Sequence, residues 1–158
     1  MGYGLVARFW PAAQPSARAS VLIAHGMGEH SGRYQPLAQV LNKAGYHVLA
    51  PDLRGHGRSR PEYCEPGDMG YDGWQCSLLD LQFLQKWLAR THSRPVILIG
   101  HSMGAMLAQQ YLGYFGYTLA ACLLSGSTGA LPAVSTVGGE LLASLDSQRL
   151  GPHSPSPI

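Results

Sequence analysis

Short apolar runs alternate with longer segments of helical periodicity along most of this chain. Most of the runs combine β-branched and other apolar residues, which is typical of strands buried inside a sheet. Five strands are predicted, at residues 5–10, 21–24, 46–50, 95–100 and 119–124. The first is expected at an edge of the sheet, and the last two are expected to be buried strands that flank a helix.

The segment between the second and third strands has the period of an amphipathic helix. Four apolar residues fall at i, i+3, i+4 and i+7: Leu37, Val40, Leu41 and Ala44. These four are therefore predicted to form the buried face. Gly45 follows the last of them and supplies a stop signal at the C-terminal end.

A second, longer helix is predicted to begin after Asp72, which is expected to cap it. One of its faces is apolar: Trp74, Leu78, Leu81 and Leu88. A third helix is predicted over residues 103–115. Strands that alternate with helices predict an α/β fold, with a mostly parallel sheet that has helices on both faces.

The ends of the predicted strands are the places to search for a ligand site. In parallel sheets ligands bind beyond the carboxyl ends of the strands. Here those ends fall at residues 25–30, 51–59, 101–104 and 125–129, and the first three contain the most unusual residue clusters of the chain.

The composition excludes several other kinds of protein. Charged residues make up 13% of the chain and the net charge is +2 with no basic stripe, so no nucleic-acid partner is expected. Three cysteines without metal-ligand spacing favour a reducing, cytoplasmic compartment. No uninterrupted apolar stretch approaches the ~18 residues of a membrane-spanning helix. No metal and no cofactor are expected.

The strongest chemical signal is the pentapeptide GHSMG at residues 100–104. It fits the G-x-S-x-G nucleophile elbow, and it lies where the elbow requires, between a predicted strand and a predicted helix. Gly100 and Gly104 would lack side chains because the strained turn brings a strand and a helix very close together. Ser102 is therefore the predicted nucleophile, against the alternative of an ordinary tight turn.

A serine of this kind needs backbone N–H groups that stabilise the negative oxygen of the transition state. One is expected from Met103, which follows the nucleophile at the positive end of a helix. The second is expected from Met27, in the loop after an earlier strand. Gly26 and His25 would support that loop, although a simple glycine turn with a packed histidine is the alternative.

Three motifs together resemble one branch of a known superfamily. HGMGEHSGRY (25–34), APDLRGHGRS (50–59) and GHSMG (100–104) are similar in content and order to the monoacylglycerol lipase and lysophospholipase branch of the α/β-hydrolases, also described as serine aminopeptidase-like. The resemblance covers residues 4–130. It implies an esterase with a Ser-Asp-His triad that acts on small acyl-ester substrates, such as glycerol esters with a fatty acyl chain.

The resemblance also assigns roles to individual positions. Ser102 would be the nucleophile, and the N–H groups of Met27 and Met103 would form the oxyanion hole. The DLRGHG loop at residues 52–57 would be structural, so His56 is not assigned a catalytic role. Glu29 and His30 would either order the oxyanion hole or form a solvated pair at a helix start.

The methionines near the nucleophile have two interpretations. Met27, Met103 and Met106 would give an acyl chain a pliable apolar wall. Alternatively, they belong to the hydrophobic core, since each lies near a predicted buried turn.

The acid and base of the triad are missing from the predicted core. A serine needs a histidine within hydrogen-bond reach and a carboxylate that orients this histidine. After Ser102 the chain contains only Glu140, Asp146 and His153, and the last two lie close together in a Pro-rich segment. The expected organisation is therefore the N-terminal part of a hydrolase core at 1–130, truncated before the later strands. The start of a cap or lid would follow at 131–158.

Two main interpretations follow from this departure. The chain is either a fragment of an active esterase, whose acid and base lie beyond Ile158, or a short protein without catalysis that serves in binding. The intact elbow favours the first, because a binding protein does not need a strained serine. An acyltransferase with the same elbow is a further alternative. The cap would also mediate transient contact with a lipid surface.

Overall fold

The computed structural model describes residues 4–127, 143–145, 147–149 and 151. Its strands are β1 (Ala7–Trp10), β2 (Ala19–Ala24), β3 (Tyr46–Pro51), β4 (Val96–His101) and β5 (Ala121–Ser125). They form a single sheet in the order β1-β3-β2-β4-β5. β1 pairs antiparallel with β3, and all other pairs are parallel.

Three α-helices cover this sheet, α1 (Gln35–Lys43), α2 (Gly73–His92) and α3 (Met103–Phe115). α2 and α3 pack on one face, where Leu22, Leu81 and Leu107 belong to the larger hydrophobic core. α1 packs on the opposite face through Ala38. The predicted α/β fold, mostly parallel with helices on both faces, is therefore confirmed.

The central strand β2 is buried along its whole length. It pairs with β3 on one side and with β4 on the other, and helices cover both of its faces. This position explains why its sequence is apolar without alternation. The loops that follow β2, β3 and β4 meet at the carboxyl end of the sheet.

The buried face predicted for α1 is wrong. Leu37, Val40 and Ala44 are exposed, and the helix instead buries Ala38 and half-buries Leu41. The small side chain of Ala38 lets the helix approach Val21 and Val48 of the sheet closely. The predicted stop at the C-terminal end is present, since the helix ends at Lys43 and Gly45 follows shortly after it with a φ of +91°.

The prediction that β5 is buried is also wrong. β5 is an edge strand whose residues are mostly exposed, including Leu123 and Leu124. Its composition is that of a central strand, but on its outer side no described strand pairs with it.

The sequence predicts that Asp72 caps α2 with its side chain, and this prediction is wrong. The helix does begin at the next residue, but Asp72 has a φ of 51° and its carboxylate accepts no hydrogen bond from the first turn. At the other end, α2 extends to His92. The proposed cap at 131–158 lies largely outside the described residues, so the domain limits stay a prediction.

Candidate active site

Ser102 occupies the turn between β4 and α3. Its backbone has φ 51° and ψ −118°, a conformation that a residue with a side chain rarely adopts. The turn is held by its own backbone, since the Ser102 N–H donates to the Ser125 carbonyl at 2.8 Å. The Ala105 N–H in turn donates to the Ser102 carbonyl at 2.8 Å. The strained turn predicted from GHSMG is present.

The two flanking glycines are required by close packing. A Cβ on Gly100 would collide with the backbone of Gly104 and Ala105. A Cβ on Gly104 would collide with the carbonyls of Ala24 and His25. The start of α3 therefore lies directly against the end of β2, which brings Ser102 next to the loop that follows β2.

That loop, Gly26 to Glu29, forms the second wall around Ser102. A Cβ on Gly26 would lie only 3.2 Å from the Ser102 Cβ. The Met27 side chain is 61% exposed, and its N–H donates to no described residue. Met103 occupies the first position of α3, where an N–H has no partner within the helix. The structure thus places the two predicted N–H donors on either side of the serine, one in the loop after β2 and one at the start of α3.

The buried His25 side chain fixes the start of this loop. The ring is 1% exposed, and its Nε2 accepts a hydrogen bond from the Leu53 N–H at 2.9 Å. Its Nδ1 is then the protonated nitrogen, which donates to the Gly26 carbonyl at 2.7 Å. Burial lowers the pKa of His25 below its ordinary value of 6.5. A neutral, doubly bonded ring agrees with the supporting role predicted for it.

Glu29 closes the loop with its carboxylate. Oε2 accepts the Gly26 N–H at 2.9 Å and the Tyr34 hydroxyl at 2.8 Å. Oε1 lies 3.4 Å from Arg33 Nε. Burial alone would raise the pKa of Glu29, but these two hydrogen bonds and the Arg33 charge outweigh it and lower the pKa. Of the two interpretations, the contacts favour Glu29 as a residue that orders the loop.

His30 behaves differently from its neighbour. It precedes a short 3-10 helix, Ser31–Tyr34, and its Nδ1 accepts the Gly32 N–H at 3.2 Å. The ring is exposed. His30 is therefore a solvated helix cap.

The loop after β3 is built around Asp52. Its Oδ1 accepts the Ser31 N–H at 2.7 Å and its Oδ2 accepts the Arg58 N–H at 2.8 Å. Burial would raise the pKa of Asp52, but the hydrogen bonds donated from Ser31 and Arg58 outweigh it, so the net pKa is lowered. One carboxylate thus ties together the loops that follow β2 and β3.

The neighbouring residues of the DLRGHG motif also have structural contacts. Arg54 forms a two-pronged ion pair with Asp80 of α2, with distances of 2.6 Å and 3.0 Å. His56 Nδ1 lies 2.7 Å from the Arg54 carbonyl, and its ring lies against that of His25. These contacts agree with a structural rather than a catalytic motif.

No histidine in the described part of the chain hydrogen-bonds the Ser102 hydroxyl. His101 is adjacent in sequence, but its Nδ1 lies 3.3 Å from the Ser125 Oγ. Glu140, Asp146 and His153 lie outside the described residues. Among the described residues, Ser102 therefore has its turn and its neighbouring N–H groups, and none of the described histidines is in place to act as its base.

A cavity of about 230 Å³ opens beside the loop that follows β2, Gly26 to Glu29. Its walls come from residues 27–29 and from the loop at 55–67, and they are mostly apolar. Met27 contributes to this wall, whereas Met103 is buried in the core and Met106 is 37% exposed on α3. The interpretation of Met103 as a core residue therefore fits the structure better than an acyl-binding role for its side chain.

Two supporting residues were not singled out from the sequence. Tyr34 bonds the Glu29 carboxylate, and Ser125 holds the Ser102 N–H with its carbonyl. Tyr34 closes the HGMGEHSGRY motif, and its position there was the available signal. Ser125 lies at the end of the strand next to the nucleophile, which only the strand order reveals.

Comparisons with known proteins agree with this geometry. The family described as "Serine aminopeptidase, S33" matches residues 15–147, which is more than half of the chain. Human monoglyceride lipase is 37% identical over 109 residues, covering 68% of this chain and 34% of that protein. Phospholipase YtpA of Bacillus subtilis is 35% identical over 112 residues, covering 65% and 37%. The chain thus spans just over a third of the length of these relatives.

A solved structure gives the same result in three dimensions. A thermostable carboxyl esterase from Bacillus coagulans, in complex with glycerol, superposes with a TM-score of 0.79 at 29% identity. The match covers 96% of this chain and 48% of the esterase. With the family match, the strand order and the elbow in agreement, this chain belongs to the serine aminopeptidase family of the α/β-hydrolases.

Proposed function

We propose that this chain provides the nucleophile and the oxyanion hole of a serine hydrolase that cleaves carboxylic esters. The observation that carries the proposal is the backbone of Ser102, held at φ 51° on a strand-to-helix turn, with the N–H groups of Met27 and Met103, unpaired among the described residues, on either side. A strained serine in this position exposes its oxygen to a substrate.

The chemistry that this arrangement supports is acyl transfer to Ser102. The Ser102 oxygen attacks the ester carbonyl carbon while its proton passes to a histidine base. The carbonyl oxygen becomes negative and accepts hydrogen bonds from the N–H groups of Met27 and Met103. The alcohol then leaves with that proton, and water releases the acid from the acyl-enzyme.

The proposed substrates are glycerol esters with one fatty acyl chain, or lysophospholipids. Support comes from the names of the relatives, monoglyceride lipase and phospholipase, and from the glycerol in the related esterase. The cavity beside Met27 is smaller than the ~300 Å³ of a typical ligand pocket. Ser102 is not among its lining residues, and its size suits an alcohol such as glycerol rather than a long acyl chain.

The acid and the base are proposed to follow Ser102 in the order that this fold uses, acid first and histidine second. None of the residues described after Ser102 is a histidine, an aspartate or a glutamate. A cytoplasmic location is likewise a proposal, supported by the odd number of cysteines.

Labelling with a fluorophosphonate probe tests the assignment of the nucleophile, on full-length protein that includes the acid and the base proposed to follow Ser102. The probe should modify Ser102, as identified by peptide mass spectrometry, and Ser102→Ala should abolish the signal. Ser125→Ala is the matched control, because this serine lies beside the elbow but is not assigned to the reaction. Labelling that persists in Ser102→Ala would refute the assignment, and a full-length protein that is never labelled would favour the binding interpretation.

The same assay tests the one histidine that follows Ser102 in this sequence. His153→Ala should leave the rate of labelling unchanged, because His153 is not expected to be the base. A large loss of rate in that variant would contradict this expectation and would identify His153 as the group that activates Ser102.

A further inference from the structure

The outward face of α2 carries an apolar stripe that the hydrophobic core does not use. Leu79, Phe83 and Trp87 follow one another at i, i+4 and i+8, and they are 55%, 66% and 39% exposed. Phe9 of β1 extends the stripe, since its ring lies 6.0 Å from that of Trp87 in an edge-to-face arrangement. The inner face of the same helix is buried separately through Leu78, Leu81 and Leu88.

Two cations lie within this stripe. Lys86 and Arg90 are exposed on the same outward face of α2, three and seven residues after Phe83. Neither forms an ion pair with a described residue. The only acidic residue of α2 is Asp80, and Arg54 neutralises it. The outward face is therefore both apolar and locally positive, although the net charge of the chain is only +2.

The charge of the stripe, rather than its size, decides what would cover it. Four side chains with these exposed fractions present about 400 Å² of apolar surface, which is close to the apolar share of the ~800 Å² that one partner buries in a stable protein interface. A second copy of the chain docked on this face would bring its own Lys86 and Arg90 against those of the first, and like charges repel. An anionic lipid surface attracts both cations, and aromatic residues insert singly at its headgroup level.

We propose that the outward face of α2, formed by Leu79, Phe83, Trp87, Lys86 and Arg90 with Phe9, docks on an anionic lipid surface. No helix in the described part of the chain is long and apolar enough to cross a membrane, so the contact is peripheral. Trp87 lies in the second half of α2, towards the amino ends of the parallel strands. Docking there leaves the Ser102 end of the sheet uncovered, and the proposal does not depend on ester hydrolysis.

Vesicle co-sedimentation of the full chain tests this proposal. The chain should bind vesicles of phosphatidylcholine mixed with phosphatidylglycerol, and added salt should weaken the binding. Phe83→Gln should lower the affinity about 10-fold or more, because an exposed aromatic ring no longer enters the interface. The double variant Lys86→Gln/Arg90→Gln should lower it about 30-fold on anionic vesicles and should remove most of the salt dependence.

Val40→Gln is the matched control, because Val40 is 65% exposed on α1, away from the stripe. It should leave vesicle binding unchanged, and all variants should keep the circular dichroism spectrum of the parent chain. Brominated lipids should quench part of the tryptophan fluorescence, and Trp87→Phe should remove that quenched part while Trp10 and Trp74 remain.

Several results would overturn the proposal. One is an equal loss of vesicle binding in Phe83→Gln and Val40→Gln, which would indicate non-specific adsorption. Another is binding to phosphatidylcholine alone that is as strong as binding to the anionic mixture. A third is absence of binding to the anionic vesicles. If the chain then forms a dimer that Phe83→Gln dissociates in sedimentation velocity, a second copy is the partner of this face.

Discussion

Ser102 lies between two walls that are held in different ways. On one side, the elbow at 100–104 is fixed by contact between backbones, where the missing side chains of Gly100 and Gly104 let α3 touch β2. On the other side, the loops after β2 and β3 are fixed by side chains, in which His25, Glu29 and Asp52 each bind backbone N–H groups or carbonyls. The first wall depends on shape and is insensitive to pH, whereas the second depends on protonation states.

The largest effect is expected at the elbow, from Gly104→Ala. The added methyl would collide with the carbonyls of Ala24 and His25, which belong to buried backbone that cannot move aside. We expect a loss of about 3–5 kcal/mol in the free energy of unfolding, measured by urea denaturation. Gly113→Ala in the same helix meets no atom within 4 Å, and it should stabilise the chain by about 0.5–1 kcal/mol. Equal effects of both changes would contradict the packing explanation.

Within the second wall, formed by the loops after β2 and β3, the largest loss of stability is expected from Asp52→Asn. An amide keeps one acceptor but presents an NH₂ group to the second N–H, so either Ser31 or Arg58 loses its partner. The expected loss is about 2–3 kcal/mol in the free energy of unfolding. Asp72→Asn is the control, because that carboxylate is exposed and makes no capping bond, and it should change stability by less than about 0.5 kcal/mol.

Relief of strain at the nucleophile should be smaller and opposite in sign. Glycine adopts the positive φ of Ser102 without steric cost, so Ser102→Gly should raise the free energy of unfolding by about 1 kcal/mol. Ser125→Gly, in the adjacent strand, should instead lower it by about 0.5–1 kcal/mol. A destabilised Ser102→Gly variant would show that the turn stores no strain.

The two walls also differ in how far the sequence predicts them. The elbow follows from five residues, because a strand, a strained serine and a helix all leave local signals in GHSMG, and α3 begins and ends where predicted. The fold class follows for the same reason, from the alternation of strands and helices. The second wall is only partly predictable. The motif 25–34 marks its place, but the bond between Asp52 and Ser31 joins loops that only the strand order brings together.

The wrong predictions have a common physical cause. A pattern of apolar residues shows that a face is apolar but not which neighbour covers it. Val40 and Leu37 follow the helical period, yet α1 turns the smaller Ala38 towards the sheet. Leu123 has the composition of a buried strand but lies at an edge. The exposed Phe83 on α2 is not predicted from the sequence, because the inner face of that helix already accounts for its helical period.

The smallest predicted effect is a dependence of the free energy of unfolding on pH, which is expected for the second wall only. The pKa of His25 is lowered by burial, so the unfolded chain binds a proton before the folded chain does. This contribution to stability is present above the unfolded value of 6.5 and is lost as the pH falls below it. Burial next to His92 and Arg94 lowers the pKa of His47 in the same direction. The free energy of unfolding should therefore decline gradually below pH 6.5.

Glu29 and Asp52 act in a lower window, because their pKa values are lowered and their contribution is lost only as the pH falls through those values. Amide hydrogen exchange under folded conditions resolves the first step. Protonation of His25 at Nε2 removes the acceptor of the Leu53 N–H. Because the pKa of folded His25 lies below 6.5, the protection of this amide relative to intrinsic exchange should hold at pH 7 and fall only below pH 6.5. The Ser102 N–H, bonded to the Ser125 carbonyl, should keep its protection over the same range. If the Leu53 and Ser102 amides lost their protection in parallel, the two walls would open together, and the proposed difference in their pH sensitivity would be wrong.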